Sequence, residues 1–326
     1  MARKKTHKTG PLPPRNGLGA TRARVPEGQG IKAADFIWHL VSTQRHRHPD
    51  DNVDAVLARF AEGAVVKRDG SPLTPETWLG PGTDVFFYRR PAPETPVPFE
   101  ITTVFEDDDL LVVDKPPFMA TMPRASHITE TATVRLRRAT GNEELTPAHR
   151  LDRATSGLLL LTKRREIRGA YQELFARREV RKEYEAIALL HDVPRATPWH
   201  HHLTKQSGEP AARLVPGAEP NASTVVASVS RLSTAEELAL HTRYGVSGAL
   251  GRYVLQPETG RTHQLRVQMM TEAAPILGDR IYPNLLPADT EDFSVPMLLR
   301  CTALEFADPL SGSKREFRLS ETWPTL

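Results

Sequence analysis

The sequence predicts an α+β fold built on a mixed sheet, with a smaller unit ahead of it. Three observations lead there. Strand-like apolar runs and amphipathic helical segments alternate irregularly, so no repeated βαβ unit can be drawn. No Gly-rich nucleotide-binding turn follows a strand candidate, which argues against a doubly wound sheet. No fixed-period repeat runs through the 326 residues, a length that exceeds one average domain.

In chain order, residues 1–32 read as a basic disordered arm. Arg3, Lys4, Lys5, Lys8, Arg15, Arg22 and Arg24 precede the first acid, Glu27, among glycines and prolines. Such an arm is either a phosphate-binding tail or a solvated leader. Residues 33–91 read as a small N-terminal domain. Val53, Val56, Leu57 and Phe60 have helical spacing, Asp69-Gly70 is a hairpin turn, and Asp84 to Tyr88 is a strand. Closely spaced prolines make 92–98 a linker.

The large domain is expected over 99–326. Its first strand is Leu110 to Lys115, stopped by Pro116-Pro117, and Leu158 to Leu161 is a buried strand. Ile167, Ala170, Tyr171, Leu174 and Phe175 recur at intervals of three and four, which predicts an amphipathic helix. Further strands are expected at 182–189, where Tyr184 shares a face with Ala186 and Ala188, and at 224–230, 252–255 and 297–306.

A net charge of +3 suits a polyanionic partner but does not demand one. The single cysteine, Cys301, excludes an internal disulfide and any multi-cysteine metal site. The basic N-terminus runs into Gly-Pro-Leu-Pro-Pro where a secretory signal needs an apolar stretch, and no later run approaches a membrane span. A cytoplasmic chain, not tied to a membrane, is the expectation.

One stretch carries the chemistry. His149-Arg150-Leu151-Asp152-Arg153 sets a carboxylate between two arginines, just before Thr155-Ser156-Gly157 and the buried run. An Asp there can close an Asx-turn or cap a helix. It can also be a working carboxylate on an anchored loop. Gly260 to Arg266 could return an arginine to it from over a hundred residues away.

These residues resemble the signature loop of the RluA-type pseudouridine synthases. Asp114-Lys115-Pro116, Lys182-Glu183-Tyr184, Gly260 to Arg266 and Gly278-Asp279-Arg280-Ile281-Tyr282 resemble that family's other motifs, in its order. The resemblance implies a mainly antiparallel sheet with flanking helices and a central RNA-binding cleft. It implies isomerisation of uridine to pseudouridine in a structured RNA, ribosomal or transfer, with no cofactor and no metal. A monomer is expected. Asn52 to Tyr88 is loosely similar to the S4-type RNA-binding domain that many relatives carry.

The resemblance assigns Asp152, Tyr184 and Arg266 as catalytic. Asp152 is the ionised carboxylate, Arg266 the cation that opposes its desolvation, and Tyr184, with Leu265 opposite, the slot for the base. Without the resemblance, Tyr184 reads equally as a core tyrosine and Arg266 as a surface helix arginine. Arg150 is assigned to the stack vacated by an extruded nucleotide, or else to a surface ion pair. His149 pins the loop or touches substrate. Arg153, with Arg135, Arg137, Arg138, Lys163, Arg164 and Arg165, forms either a phosphate-contacting rim or a solvated basic face.

His200-His201-His202 do not read as metal ligands, since adjacent histidines on an extended chain point apart, and neither do His46 and His48, which could share a strand face but have arginines beside them that would repel a cation. One departure from the family pattern stands out: Gln268 and Thr271 to Ala274 replace a stretch that usually carries a further histidine and a glycine. Two rival functions remain at this level, an inactive RNA-binding or RNA-folding protein and a base-releasing hydrolase. The residues do not choose among attack on C1′, addition to C6 and removal of a C2′ proton.

Overall fold

The computed structural model describes residues 10–194, 196, 198–287, 291–319 and 323. The chain divides into two compact units. One takes the residues up to Pro96 together with Pro123–Glu143, the other Val97–Met122 and the chain from Glu144 onward.

The first unit holds β1 (Thr21–Arg24), β2 (Ile31–Lys32), α1 (Ala33–Ser42), α2 (Val53–Ala61), β3 (Val65–Lys67), β4 (Trp78–Leu79), β5 (Asp84–Phe87) and α3 (Ala132–Thr140). A three-stranded sheet runs β1-β5-β3, and β2 pairs with β4. Helix α2 starts where expected because the Asn52 side chain accepts a hydrogen bond from Ala55 N at 3.0 Å. Phe36, Ile37 and Val41 of α1 join Val56, Phe60, Val85 and Phe87 in one core.

One expectation about this region needs correction. The arm was expected to stay disordered to residue 32, but Thr21–Arg24 pairs antiparallel with β5 and Ile31–Lys32 with β4. The reason is amphipathic: Ala23 packs against the core while Arg22 and Arg24 turn outward to Asp84, which also binds Arg68. The arm's first nine residues lie outside the described residues. The proline-rich segment has no helix and only a single bridge at Pro91, yet it is not free. Glu94 Oε1 accepts from Ile128 N and Thr129 N, which ties the 123–143 excursion of the chain to the first unit.

The second unit contains β6 (Thr102–Glu106), β7 (Leu110–Lys115), β8 (Thr146–Pro147), β9 (Ser156–Thr162), α4 (Arg168–Ala176), β10 (Arg181–Leu189), β11 (Pro198–His201), β12 (Leu203–Thr204), β13 (Arg213–Leu214), β14 (Ala222–Arg231), α5 (Thr234–Tyr244), β15 (Leu250–Pro257), α6 (Gln264–Glu272), β16 (Leu299–Ala307) and β17 (Lys314–Arg318). Its large sheet runs β11-β14-β15-β10-β16-β9-β7-β6, with β17 beside β16 and β8 beside β9. Every pairing in it is antiparallel except that of β16 with β9. The mixed, mainly antiparallel α+β fold is the one the sequence implies.

Strand β9 is buried along its whole length, and Leu158 to Leu161 are fully inaccessible. Burial of each leucine contributes about 1.5–3 kcal/mol relative to exposure, which makes this strand the anchor of the loop before it. Helix α4 covers one part of the sheet through Ile167, Tyr171 and Leu174, while α5 and α6 supply Leu240, Leu265 and Met269 to a second core. No helix among the described residues is long and apolar enough to cross a membrane.

The parallel contact is short: only Ser156 and Gly157 pair, with Arg300 and Cys301. Gly157 has φ +106°, and a Cβ there would sit 2.2 Å from the Cys301 carbonyl oxygen. Only glycine permits that approach. Gly157→Ala is therefore expected to lower the unfolding free energy by about 3 kcal/mol or more in urea titration, from left-handed strain and strand separation together. A near-neutral result would mean that β9 and β16 do not meet this closely.

Candidate active site

Asp152 lies on the loop between β8 and β9. The loop is pinned on both sides of it. Thr121 Oγ1 accepts from Leu151 N at 3.1 Å and donates to Leu151 O at 2.8 Å, and Asp152 O accepts from Thr155 N at 3.1 Å. The Asx-turn alternative fails because no described N–H of the loop donates to the carboxylate, and the Thr155 N–H goes to the Asp152 carbonyl. The carboxylate instead faces a cavity of ≈ 130 Å³ lined by Arg150, Asp152, Lys182, Tyr184, Leu265 and Arg266 among others. Its side chain is 20 % exposed.

Arg266 comes from α6 and is almost fully buried. Its Nη1 lies 3.7 Å from Asp152 Oδ2. The planar fork expected on Asp152 is spent elsewhere: Nε and Nη2 donate to Asp279 at 2.7 and 2.6 Å. Asp279 is itself held, because its Oδ1 accepts from Ile281 N and Tyr282 N. The guanidinium is thus fixed by one carboxylate and offers its remaining nitrogen to the other. His263 Nε2 stands 3.9 Å from the same Asp152 oxygen, and its Nδ1 is 3.0 Å from the Tyr282 hydroxyl. Burial lowers the His263 pKa to about 4, so a neutral imidazole meets Asp152.

Tyr184 lies at a register shift between β10 and β16, where the irregularity can turn its ring toward the cavity. Desolvation first, then the neighbouring Cys301 and Asp152, raises its pKa well above the ordinary value, so the phenol keeps its proton. Beneath the loop, Lys115 is fully buried and donates to Pro116 O and Met119 O, both at 2.8 Å, and to Arg153 O at 3.5 Å. Burial pulls its pKa down to about 7, against the pull of Asp152.

Five of the seven expected site residues, Arg150, Asp152, Tyr184, Leu265 and Arg266, line this cavity. His149 and Arg153 do not. His149 Nε2 accepts from Leu160 N at 3.2 Å and its ring stacks on Phe175 at 4.4 Å, contacts that tie the loop to β9 and α4. Part of the residue stays accessible, but its imidazole is desolvated and its pKa falls to about 3. Arg153 is clamped by Glu291 at 2.5 and 2.6 Å.

Most of the expected basic rim also has partners within the chain. Lys163 pairs with Glu106 and Arg164 with Asp109, while Arg135, Arg137 and Arg138 bind Glu130, Gly17 O and Asn16 O in the other unit. Sequence reasoning saw the motifs containing Lys115, Lys182, His263, Asp279 and Tyr282 but gave these residues no role. A carboxylate thirteen residues beyond Arg266 was the available signal for the ion pair.

Residues 109–271 match the family model described as RNA pseudouridylate synthase. The chain belongs to this family. It is 28 % identical over 248 residues to an uncharacterized RNA pseudouridine synthase of Synechocystis sp., covering 74 % of this chain and 77 % of that one. It is 30 % identical over 237 residues to the ribosomal large subunit pseudouridine synthase D of Salmonella typhimurium, covering 68 % of this chain and 66 % of the relative. Against that second relative the chain spans just under two thirds of the length. A solved structure titled human RNA pseudouridylate synthase domain containing 1 shares the fold, with TM-score 0.53 and 22 % identity over 68 % of this chain and 84 % of that one. The RluA-type resemblance and the enzyme class, an isomerase, accord with these matches.

The two neutral histidines make stability pH-dependent. As pH falls below about 6.5 the unfolded chain takes up protons that the folded one refuses until near pH 4 at His263 and pH 3 at His149, so stability declines across that window. His149→Phe keeps a ring on Phe175 but leaves Leu160 N without this acceptor. It should be about 1–3 kcal/mol less stable than the parent at pH 7, and the gap should shrink by pH 4.5. Urea unfolding at both pH values checks this; a constant gap would show that the ring is not desolvated.

Proposed function

We propose that this chain converts uridine to pseudouridine in ribosomal RNA, using Asp152 as the group that engages an extruded nucleotide. The reading rests on one observation: the Asp152 carboxylate faces a cavity that it shares with Tyr184, with Arg266 Nη1 at 3.7 Å and no hydrogen bond to its own loop. In the reaction the N1–C1′ bond breaks, the uracil turns, and C5 bonds to C1′. N1 gains a proton and C5 loses one, so nothing is added overall.

The roles follow from position. A stacked uridine cannot reach a recessed carboxylate, so the nucleotide must leave the helix. Arg150, exposed at the cavity edge, is placed to occupy the vacated stack. Tyr184 and Leu265 offer apolar surface to the base. Arg266 sets its positive charge 3.7 Å from the Asp152 carboxylate, while its bonds to Asp279 keep it from collapsing onto that carboxylate. The large-subunit name of the Salmonella relative favours ribosomal over transfer RNA.

Asp152→Asn, nearly isosteric, should abolish pseudouridine formation while RNA affinity stays within about threefold, because phosphate contacts dominate that affinity. Mapping pseudouridines in ribosomal RNA with and without the active protein tests both the activity and the target. Near-normal turnover by Asp152→Asn would remove the carboxylate from the mechanism, and free uracil would identify a hydrolase instead. Arg266→Lys should reduce turnover by at least about tenfold, since an ammonium cannot hold Asp279 with two parallel bonds and also face Asp152; wild-type turnover would contradict that division of the guanidinium.

A further inference from the structure

The turn from Thr259 to Gln264 forms one wall of the cavity. Behind it runs a continuous, one-directional series of hydrogen bonds. Thr259 Oγ1 donates to Gln264 Oε1 at 2.6 Å, and Gln264 Nε2 donates to Thr224 Oγ1 at 2.9 Å. Thr224 Oγ1 in turn donates to Gln268 Oε1 at 2.6 Å. Gln268 Nε2 reaches Trp199 O at 3.0 Å and His201 Nδ1 at 3.3 Å, and His201 Nε2 lies 2.8 Å from Glu272 Oε1.

The direction is dictated, not optional. Gln264 also accepts from Arg261 N at 3.0 Å and donates to Ser223 O at 2.9 Å, so both amides use both of their N–H groups. Reversing Gln264 would set its N–H groups against Arg261 N, and reversing Gln268 would set its carbonyl oxygen against Trp199 O. Thr224 and Gln268 are fully inaccessible and Gln264 nearly so, which leaves no water to absorb a misplaced proton. With Nδ1 accepting, the His201 N–H lies at Nε2, 2.8 Å from Glu272 Oε1. The histidine run thus has one member tied to the site from behind.

Gln264 and Gln268 stand four residues apart, on one face of α6; Gln264 reaches back to β14, and Gln268 to both β14 and β11. Leu265 and Arg266, which line the cavity, lie between them. The rotation and axial setting of α6 are therefore fixed by these two glutamines together with its buried apolar residues Leu265, Val267 and Met269. We infer that Thr224 and Gln268 are positioning residues for the uridine cavity: they lock Gln264 and α6, and through them the Thr259–Gln264 wall and the Arg266 guanidinium. The inference rests on the uridine-isomerising reading of the cavity. It also gives a use to Gln268, one of the places where this chain departs from its family's pattern.

Thr224→Val and Thr224→Ser separate positioning from packing. Valine keeps the shape and loses the hydroxyl; serine keeps the hydroxyl and loses a methyl. Steady-state pseudouridine formation should show kcat at least about tenfold lower for Thr224→Val with KM within about twofold, since small misplacements near a reacting centre are costly while RNA affinity lies in phosphate contacts. Thr224→Ser should keep at least about a third of the parent kcat. A valine variant as fast as the parent, or a serine variant as slow as the valine, would overturn the inference. If Thr224→Val does not fold, His201→Phe at the outer end decides. It should lower kcat by at least about threefold with KM unchanged, and an unaltered kcat would overturn the proposal. A parent protein that forms no pseudouridine would instead sink the reading of the cavity itself.

Discussion

The site depends on one buried guanidinium placed between two carboxylates. Arg266 is 4 % exposed at its side chain and Asp279 only 1 %, so the pair has lost nearly all its water. Such a pair is stable only because its geometry is bidentate and the remaining oxygen lone pairs are used, here by Ile281 N and Tyr282 N. Loss of one member would leave the other buried and unpaired, at a cost of about 3–5 kcal/mol. The consequence for chemistry is a division of labour. Asp279 holds the cation still, and Asp152, 3.7 Å from the free nitrogen, feels its charge without being consumed by it.

The sheet serves the same end. β9 meets β16 for two residues and then each takes another neighbour, β8 and β17. The Asp152 loop enters at that brief junction, where Gly157 lets two backbones touch. Thr121, Lys115 and His149 fasten the loop from three directions. A carboxylate on so constrained a backbone can stay away from local N–H partners, which is the condition for its use on a ligand.

Much of this was legible in the amino-acid order. The run Leu158 to Leu161 announces a buried strand, the spacing of Ile167, Tyr171 and Leu174 announces α4, and the motif around Asp152 names the family. Other features were not legible, for reasons that differ. Helix α5 is weakly amphipathic, with Leu238 exposed, and its start depends on a Ser233–Glu236 capping box that periodicity does not reveal. The segment at Arg22 and Arg24 looks disordered by composition because its order comes from Asp84, sixty residues on. Arg153 and its basic neighbours look free until the carboxylates that bind them are located in space.

By itself, the sequence determined the family and the α+β class and pointed to Asp152, because these are written in local spacing and in short motifs whose order is kept. Only the tertiary structure decided which acid takes the arginine fork, that His149 turns to Leu160 N and Phe175, and that Gln264 and Gln268 bond back to β14 and β11. Each of those outcomes depends on partners distant in the chain competing for a limited number of donors in a space without water. Local pattern cannot settle such a competition, since it is resolved by distance and burial after the elements have packed.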